Sequence, residues 1–198
     1  MRCALPIALA AVLAACVAAP SSPVPPGGPT TLPSRHLFGI GDPTRGAILE
    51  AAFAFGRPRA LHGRPEAAAR AVAALEHIAA TVPVDQLYRP FHPLVFEELP
   101  SGRDEVRRLL GIAPAAPPQA VIDAFSAAAE ALREGDRTRA LAALPPAVVP
   151  DPAATLARLA ALPEAPTAAL ATARAQSELL ALDRQDEDGT IRRLRFGG

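Results

Sequence analysis

From about residue 43 to residue 182 apolar side chains recur every three or four positions, and prolines cut the pattern into short lengths. Asp42-Pro43 supplies a helix cap and then a proline at the first helical position, where a missing N–H costs nothing. Ile48, Ala52 and Phe55, with Leu49 and Phe53, form the stripe that follows, and Gly56 is its natural stop. Pro65 opens a second helix, on which Ala68, Val72, Leu75, Ala79 and Val82 share a face until Pro83 ends it. Ser101 with Asp104 and Glu105 has the form of a capping box, which predicts a short helix opening there and running through Leu109-Leu110 to Gly111. Pro117-Pro118 precedes a helix carrying Val121, Phe125, Ala128 and Leu132; Gly135 closes it, and Asp136 caps a short successor through Leu141 and Leu144. Asp151-Pro152 opens a helix with Leu156 and Leu159, and a last long helix is predicted from about Thr167 to Leu182. The pattern predicts an all-α fold, a small irregular bundle of short proline-delimited helices over residues 37–184.

Both ends depart from that pattern. At the C-terminus Asp186-Glu187-Asp188-Gly189 is turn-like, and Asp188-Gly189 is a good hairpin dipeptide. Residues 185–198 are therefore expected to be either a hairpin strand, Thr190 to Phe196, pairing back onto Leu179–Arg184, or a charged tail crowded with Arg192, Arg193 and Arg195. At the N-terminus Arg2 precedes an apolar run from Ala4 to Val12 that is too short to span a bilayer, which needs about 20 residues. Small residues follow at Ala14 and Ala15, the layout of a secretory signal peptide over residues 1–15. Leu13-Ala14-Ala15-Cys16 resembles the lipobox of bacterial lipoproteins. The resemblance implies cleavage before Cys16, lipidation of its thiol and acylation of the new amine, and several acyl chains on one residue anchor stably where one alone is marginal. Val17 rather than Asp after Cys16 implies, by the same family analogy, sorting to the outer membrane, with the body facing the periplasm. Residues 16–36 then form the lipidated residue and a tether, rich in Pro, Ser and Gly without hydrophobic period.

Composition narrows the chemistry. The 198 residues carry no net formal charge, which excludes a polybasic nucleic-acid binder, and no nucleic-acid partner is expected. Every basic side chain is Arg, so lysine Schiff bases and P-loop lysines are excluded. Of the two cysteines, Cys3 leaves with the signal and Cys16 is lipidated, so the mature chain has neither thiol nor disulfide. Alanine is nearly a quarter of the chain; small side chains let helices approach closely but bury little area each. Much of the hydrophobic gain is therefore expected from Phe53, Phe55, Leu75, Ile78, Phe125, Leu132 and Leu159.

Catalytic patterns are weak. His36, His62, His77 and His92 have no i,i+4 spacing and no HExxH, so no metal and no cofactor are expected. There is no G-x-S-x-G elbow, and Asp42 would repel a phosphate at the Gly39-Ile40-Gly41 fragment. The pairs Glu97-Glu98 and Asp104-Glu105 read as surface or capping groups, not as general acids in a desolvated pocket. Residues 124–147 resemble one tetratricopeptide-like helical hairpin, through Ala128, Gly135, Asp136 and Ala140, without a second copy or the aromatic positions of that repeat. The most unusual stretch is 84–100, which holds the only tyrosine. Tyr88, Arg89, Phe91, His92 and Phe96 there are either a plug for the end of the bundle or an interaction surface, since Tyr, Phe and Arg are favoured at interfaces. These readings lead to a membrane-anchored lipoprotein of the bacterial envelope with a non-catalytic helical interaction or scaffold module and an envelope protein as partner. The alternative is binding of a small apolar ligand between the helices, near Phe53, Phe55 and residues 84–100.

Overall fold

The computed structural model describes residues 30–33 and 42–196, with side chains to residue 185. The signal peptide, Cys16, His36 and residues 37–41 lie outside the described residues. Every regular element described is helical, as the pattern predicts: α1 (Pro43–Gly56), α2 (Pro65–Thr81), α3 (Pro93–Leu110), α4 (Pro118–Arg133), α5 (Arg137–Ala142), α6 (Pro152–Ala160) and α7 (Pro166–Phe196). Two 3-10 turns, Pro58–Leu61 and Gln86–Tyr88, lie in the connections after α1 and α2. Six of these seven α-helices begin at a proline, whose fixed φ suits the first turn and narrows the unfolded ensemble. Asp42, Asp136 and Asp151 cap α1, α5 and α6, accepting from Thr44 N at 2.9 Å, Arg139 N at 2.8 Å and Ala154 N at 3.0 Å.

Helix α2 is the axis. It packs against α1, α3, α4 and α6, and from Ala67 to Thr81 every residue but Arg70 is buried. The one-sided stripe read from its sequence is therefore only part of its contact surface. Alanines at 67–69, 71, 73, 74, 79 and 80 allow neighbours on all sides. Helices α1, α3 and α7 close the other side, α3 and α7 in extensive contact.

Three local expectations are corrected. Helix α3 opens at Pro93, not at Ser101, and runs through Pro100. His92 caps it, its Nδ1 accepting from Leu94 N at 3.3 Å, while the Ser101 hydroxyl donates back to the Glu97 carbonyl at 2.9 Å. Val95 and Leu99, both fully buried, hold the turn ahead of the capping-box residues helical, so packing outweighs the proline. At the other end α7 continues past Leu182 and through Gly189 to Phe196, so residues 190–196 are helix and the hairpin strand is not formed. One glycine costs a helix interior only about 1 kcal/mol, too little to stop a helix already propagating. Lastly, Phe53 is exposed on α1 under the Arg57 guanidinium, 5.7 Å from its ring, and Leu132 is half-buried; Phe55, Leu75, Ile78, Phe125 and Leu159 are in the core as expected.

A charged pair lies inside this apolar body. Arg107 of α3 grips Glu76 of α2 with two parallel bonds, Nε to Oε1 and Nη2 to Oε2, each 2.7 Å. Its Nη1 donates to the Pro114 and Ala116 carbonyls, both at 2.9 Å. Burial pushes the Glu76 carboxyl up, and the bonds from Arg107 pull it back toward the charged form.

The acidic pairs flagged in the sequence are also structural. Glu98 meets Arg174 of α7 at 2.7 Å, and Glu105 accepts from Ala168 N at 2.9 Å, satisfying a free donor in the first turn of α7. Beside that cap α3 and α7 approach closely: a Cβ on Gly102 would stand 2.8 Å from the Ala168 Cα.

Two stability measurements check these contacts. Gly102→Ala, which in an open helix would stabilise by about 1 kcal/mol, is expected to destabilise by about 1–3 kcal/mol in urea unfolding, because backbone stands in the way. Gly56→Ala, at the end of α1 with nothing within 4 Å of its added Cβ, serves as the unobstructed reference and is expected to lose no stability. Glu76→Gln leaves the Arg107 charge buried without a counter-ion and is expected to cost about 3–5 kcal/mol. The double variant Glu76→Leu/Arg107→Met should lose less than the two single losses added together.

Candidate functional site

Polar side chains gather at the end of the bundle where α1 begins and α2 finishes. Asp42 stands at the head of α1. Its Oδ1 caps the helix, and its Oδ2 accepts the Tyr88 hydroxyl at 2.6 Å. One turn from the end of α2, His77 offers both ring nitrogens to threonine hydroxyls: Nε2 to Thr44 Oγ1 at 3.0 Å, and Nδ1 to Thr30 Oγ1 at 2.8 Å. Thr81, four residues on, sits 3.5 Å from the same Nδ1 and accepts from Thr30 N at 3.3 Å. Beside them Arg45 is paired with Asp183 of α7, and that hydrogen bond raises the guanidinium above its ordinary value.

Thr30 belongs to the proline-rich tether. Residues 30–33 lie on the body between α2 and α4. The Gln119 side chain reads the tether backbone in both directions, accepting from Thr31 N at 2.9 Å and donating to Thr31 O at 3.0 Å. Leu32 packs on the core, and Pro33 lines a shallow open depression with Asp123, Ser126, Ala127 and Glu130 of α4.

The residues singled out in the sequence divide between inside and outside. Tyr88 and Phe91 are buried edge to face, ring centres 5.1 Å apart, and plug the end of the bundle. Phe96 is half-buried against the core, whereas Arg89 and His92 are exposed. Phe55 of the alternative ligand site lines a small apolar void with Val106, Leu109, Leu110, Leu162, Pro163 and Ala165, which has no room for even a water molecule. Among the described residues no three His, Cys, Asp or Glu side chains are grouped to hold a metal ion, and no helix is long and apolar enough to cross a membrane.

The threonine–histidine cluster was missed by spacing rules, because Thr30, Thr44 and His77 are far apart in the chain. The available signal was Glu76-His77 itself, two polar residues inside an otherwise apolar run from Ala71 to Ala80. Such groups on a buried helix must find partners. Chemically the arrangement is a clasp: the imidazole joins tether, α1 and α2. Burial drives the Tyr88 phenol well above its ordinary range, and its bond to the Asp42 carboxylate pushes it the same way.

Comparison with family models, with curated proteins and with solved structures returns no match, so geometry and sequence alone bear on what the site does.

Tyr88 is the only tyrosine, so ultraviolet titration of the phenolate reads one site. A free phenol ionises near pH 10; the folded chain is expected to show no phenolate there, and to show it only as it unfolds. Because the unfolded state alone releases this proton, the stability due to Tyr88 is present below about pH 10 and is lost as the pH rises above it. Tyr88→Phe is expected to flatten that alkaline loss in denaturant midpoints measured across the same range.

Proposed function

We propose that the chain is a lipoprotein of the bacterial cell envelope, anchored by lipid on Cys16, whose helical body is a non-catalytic interaction or scaffold module. The observation that carries this reading is Leu13-Ala14-Ala15-Cys16 behind a short apolar run and ahead of a Pro-, Ser- and Gly-rich tether. Val17 favours sorting to the outer membrane, with the body in the periplasm.

The body supports a module of this kind. Its buried polar groups are engaged with one another: Glu76 with Arg107, His77 with Thr30 and Thr44, Tyr88 with Asp42. Each of these joins separate elements of the fold, which is the work of a rigid platform. Of the five residues singled out in the 84–100 segment, Arg89 and His92 face outward and are available to an envelope protein.

Metabolic labelling with a fatty acid tests the anchor. The wild-type chain is expected to take up label and to lose residues 1–15; Cys16→Ala is expected to take up none. Label retained on Cys16→Ala would overturn the reading.

A further inference from the structure

We propose that α7 pairs antiparallel with α7 of a second copy of this chain, the projecting end of each helix lying along the outward stripe of the other. The proposal goes beyond the anchored module described above and does not depend on the lipid, since the residues that pair all lie on α7.

Three observations lead to it. First, α7 is longer than the body it packs on. It runs antiparallel to both α3 and α1. Its start lies beside the far parts of those helices, Ala168 against Gly102 and Ala165 near Phe55. Further along, Glu178 accepts from His92 N at 3.2 Å, just ahead of α3, and Asp183 meets Arg45 in the first turn of α1. Past Asp183 the helix therefore passes the starts of both neighbours and continues 13 residues, about 20 Å, to Phe196. Most helical stability comes from packing, and Asp186, Gly189 and Thr190 supply little propensity of their own.

Second, α7 carries two stripes. One faces the core through Ala168, Ala171, Ala175 and Leu179, all buried. On the opposite side Leu170 (56%), Ala173, Ser177, Leu180 (47%) and Arg184 are exposed. Their spacing alternates three and four, the seam of a coiled coil. Continued along the sequence it falls on Glu187, Ile191 and Leu194. From 170 to 194 the seam covers about three and a half heptads, the length at which such a pattern supports pairing.

Third, the seam is complementary to itself when reversed. With residue 170 level with 194 of the other copy, Leu170 meets Leu194, Ala173 meets Ile191, Ser177 meets Glu187 and Leu180 meets Arg184. A small residue thus faces a large one, a hydroxyl faces a carboxylate, and the aliphatic stem of an arginine lies on a leucine while its head reaches the edge. The two polar layers sit either side of the centre, where they set register at some cost in stability. Beside the seam Arg174 falls opposite Asp188 of the other copy, an opposite charge. Asp183 falls beside its own counterpart across the two-fold axis, and each is already neutralised by Arg45. A slip of one heptad toward the tips would bare Leu170 and Ala173 and set Arg174 against Arg195, so charge favours the longer overlap. In that overlap residue 183 of one copy lies level with 181 of the other. The two bodies therefore stand past each other, each beside the other's projecting helix, and the contact closes as a two-fold dimer.

Sedimentation equilibrium of the purified full-length chain in density-matched detergent tests the pairing, and the expected mass is that of a dimer. Leu170→Arg and Leu180→Asp change exposed positions; each is expected to weaken association by about tenfold or more while the far-ultraviolet signal stays that of a folded helical chain. The geometry is read with a short bis-maleimide on cysteine variants, the linked peptides being identified by mass so that Cys3 and Cys16 are told apart. Ala181→Cys is expected to link to its own counterpart, and Ala173→Cys to link to Ile191→Cys when the two variants are mixed. Ala173→Cys alone, about 27 Å from its counterpart in this register, is expected not to link. A monomer at every concentration overturns the proposal, as does a dimer indifferent to both Leu170→Arg and Leu180→Asp. Self-linking of Ala173→Cys shows parallel helices and overturns it too.

Discussion

The bond between Glu76 and Arg107 sets the terms for the rest of the body. Helix α2 is enclosed on nearly every side, so a carboxylate there has no water to turn to. Two ions taken into such a place cost several kcal/mol each unless geometry and extra hydrogen bonds compensate. Here the guanidinium supplies both: a two-pronged grip on the carboxylate and two further bonds to the Pro114 and Ala116 carbonyls. One side chain thereby fixes the register of α3 on α2 and the course of the loop that delivers α4. Any shift of α3 along its axis would break several bonds at once, which is how a polar contact selects one packing among many that alanine-rich helices allow.

That selection matters because alanine packs closely but without much shape. Large side chains interlock in few ways, whereas methyl groups slide. The body answers with devices that fix position by contact or bond. Gly102 lets α3 lie against the Ala168 backbone, and Glu105 caps α7 from α3 at the same point. The Thr155 hydroxyl and Arg158 of α6 both donate to the Leu110 carbonyl, closing the end of α3 at 2.7 and 3.1 Å. Prolines at six helix starts limit where each element begins. Together these replace the specificity that a core rich in aromatics would provide.

The strapped end of the bundle joins architecture to the proposed role. His77 links tether, α1 and α2, Tyr88 ties the α2–α3 connection to the head of α1, and Arg45 brings in α7 through Asp183. A pull on the tether is therefore passed to three helices rather than to one loop. A module held to a surface by its N-terminal lipid needs that: the point of attachment must be among its firmest parts, or the chain would peel from the body before the body moved.

The sequence by itself determined the class of fold and nearly every helix start, because proline, aspartate caps and glycine stops act within a turn or two of their own position. It also carries the lipobox-like segment Leu13-Ala14-Ala15-Cys16 from which the anchor is proposed, a local pattern that needs no tertiary contact to be read. Where a reading depended on what a segment meets elsewhere, tertiary structure decided. Ser101 lost its capping role because Val95 and Leu99 found a core; Asp188-Gly189 became helix because α7 was already propagating; Phe53 stayed outside though its spacing matched the stripe. Tyr88 and Phe91 were legible as unusual, but their direction was not, since the same aromatics plug a bundle or face a partner depending on one backbone turn. Glu76, His77 and Arg107 show the limit most plainly. Their partners lie between 31 and 47 positions away, and no periodicity carries information over that distance; only a chain folded back on itself brings the charges within 3 Å.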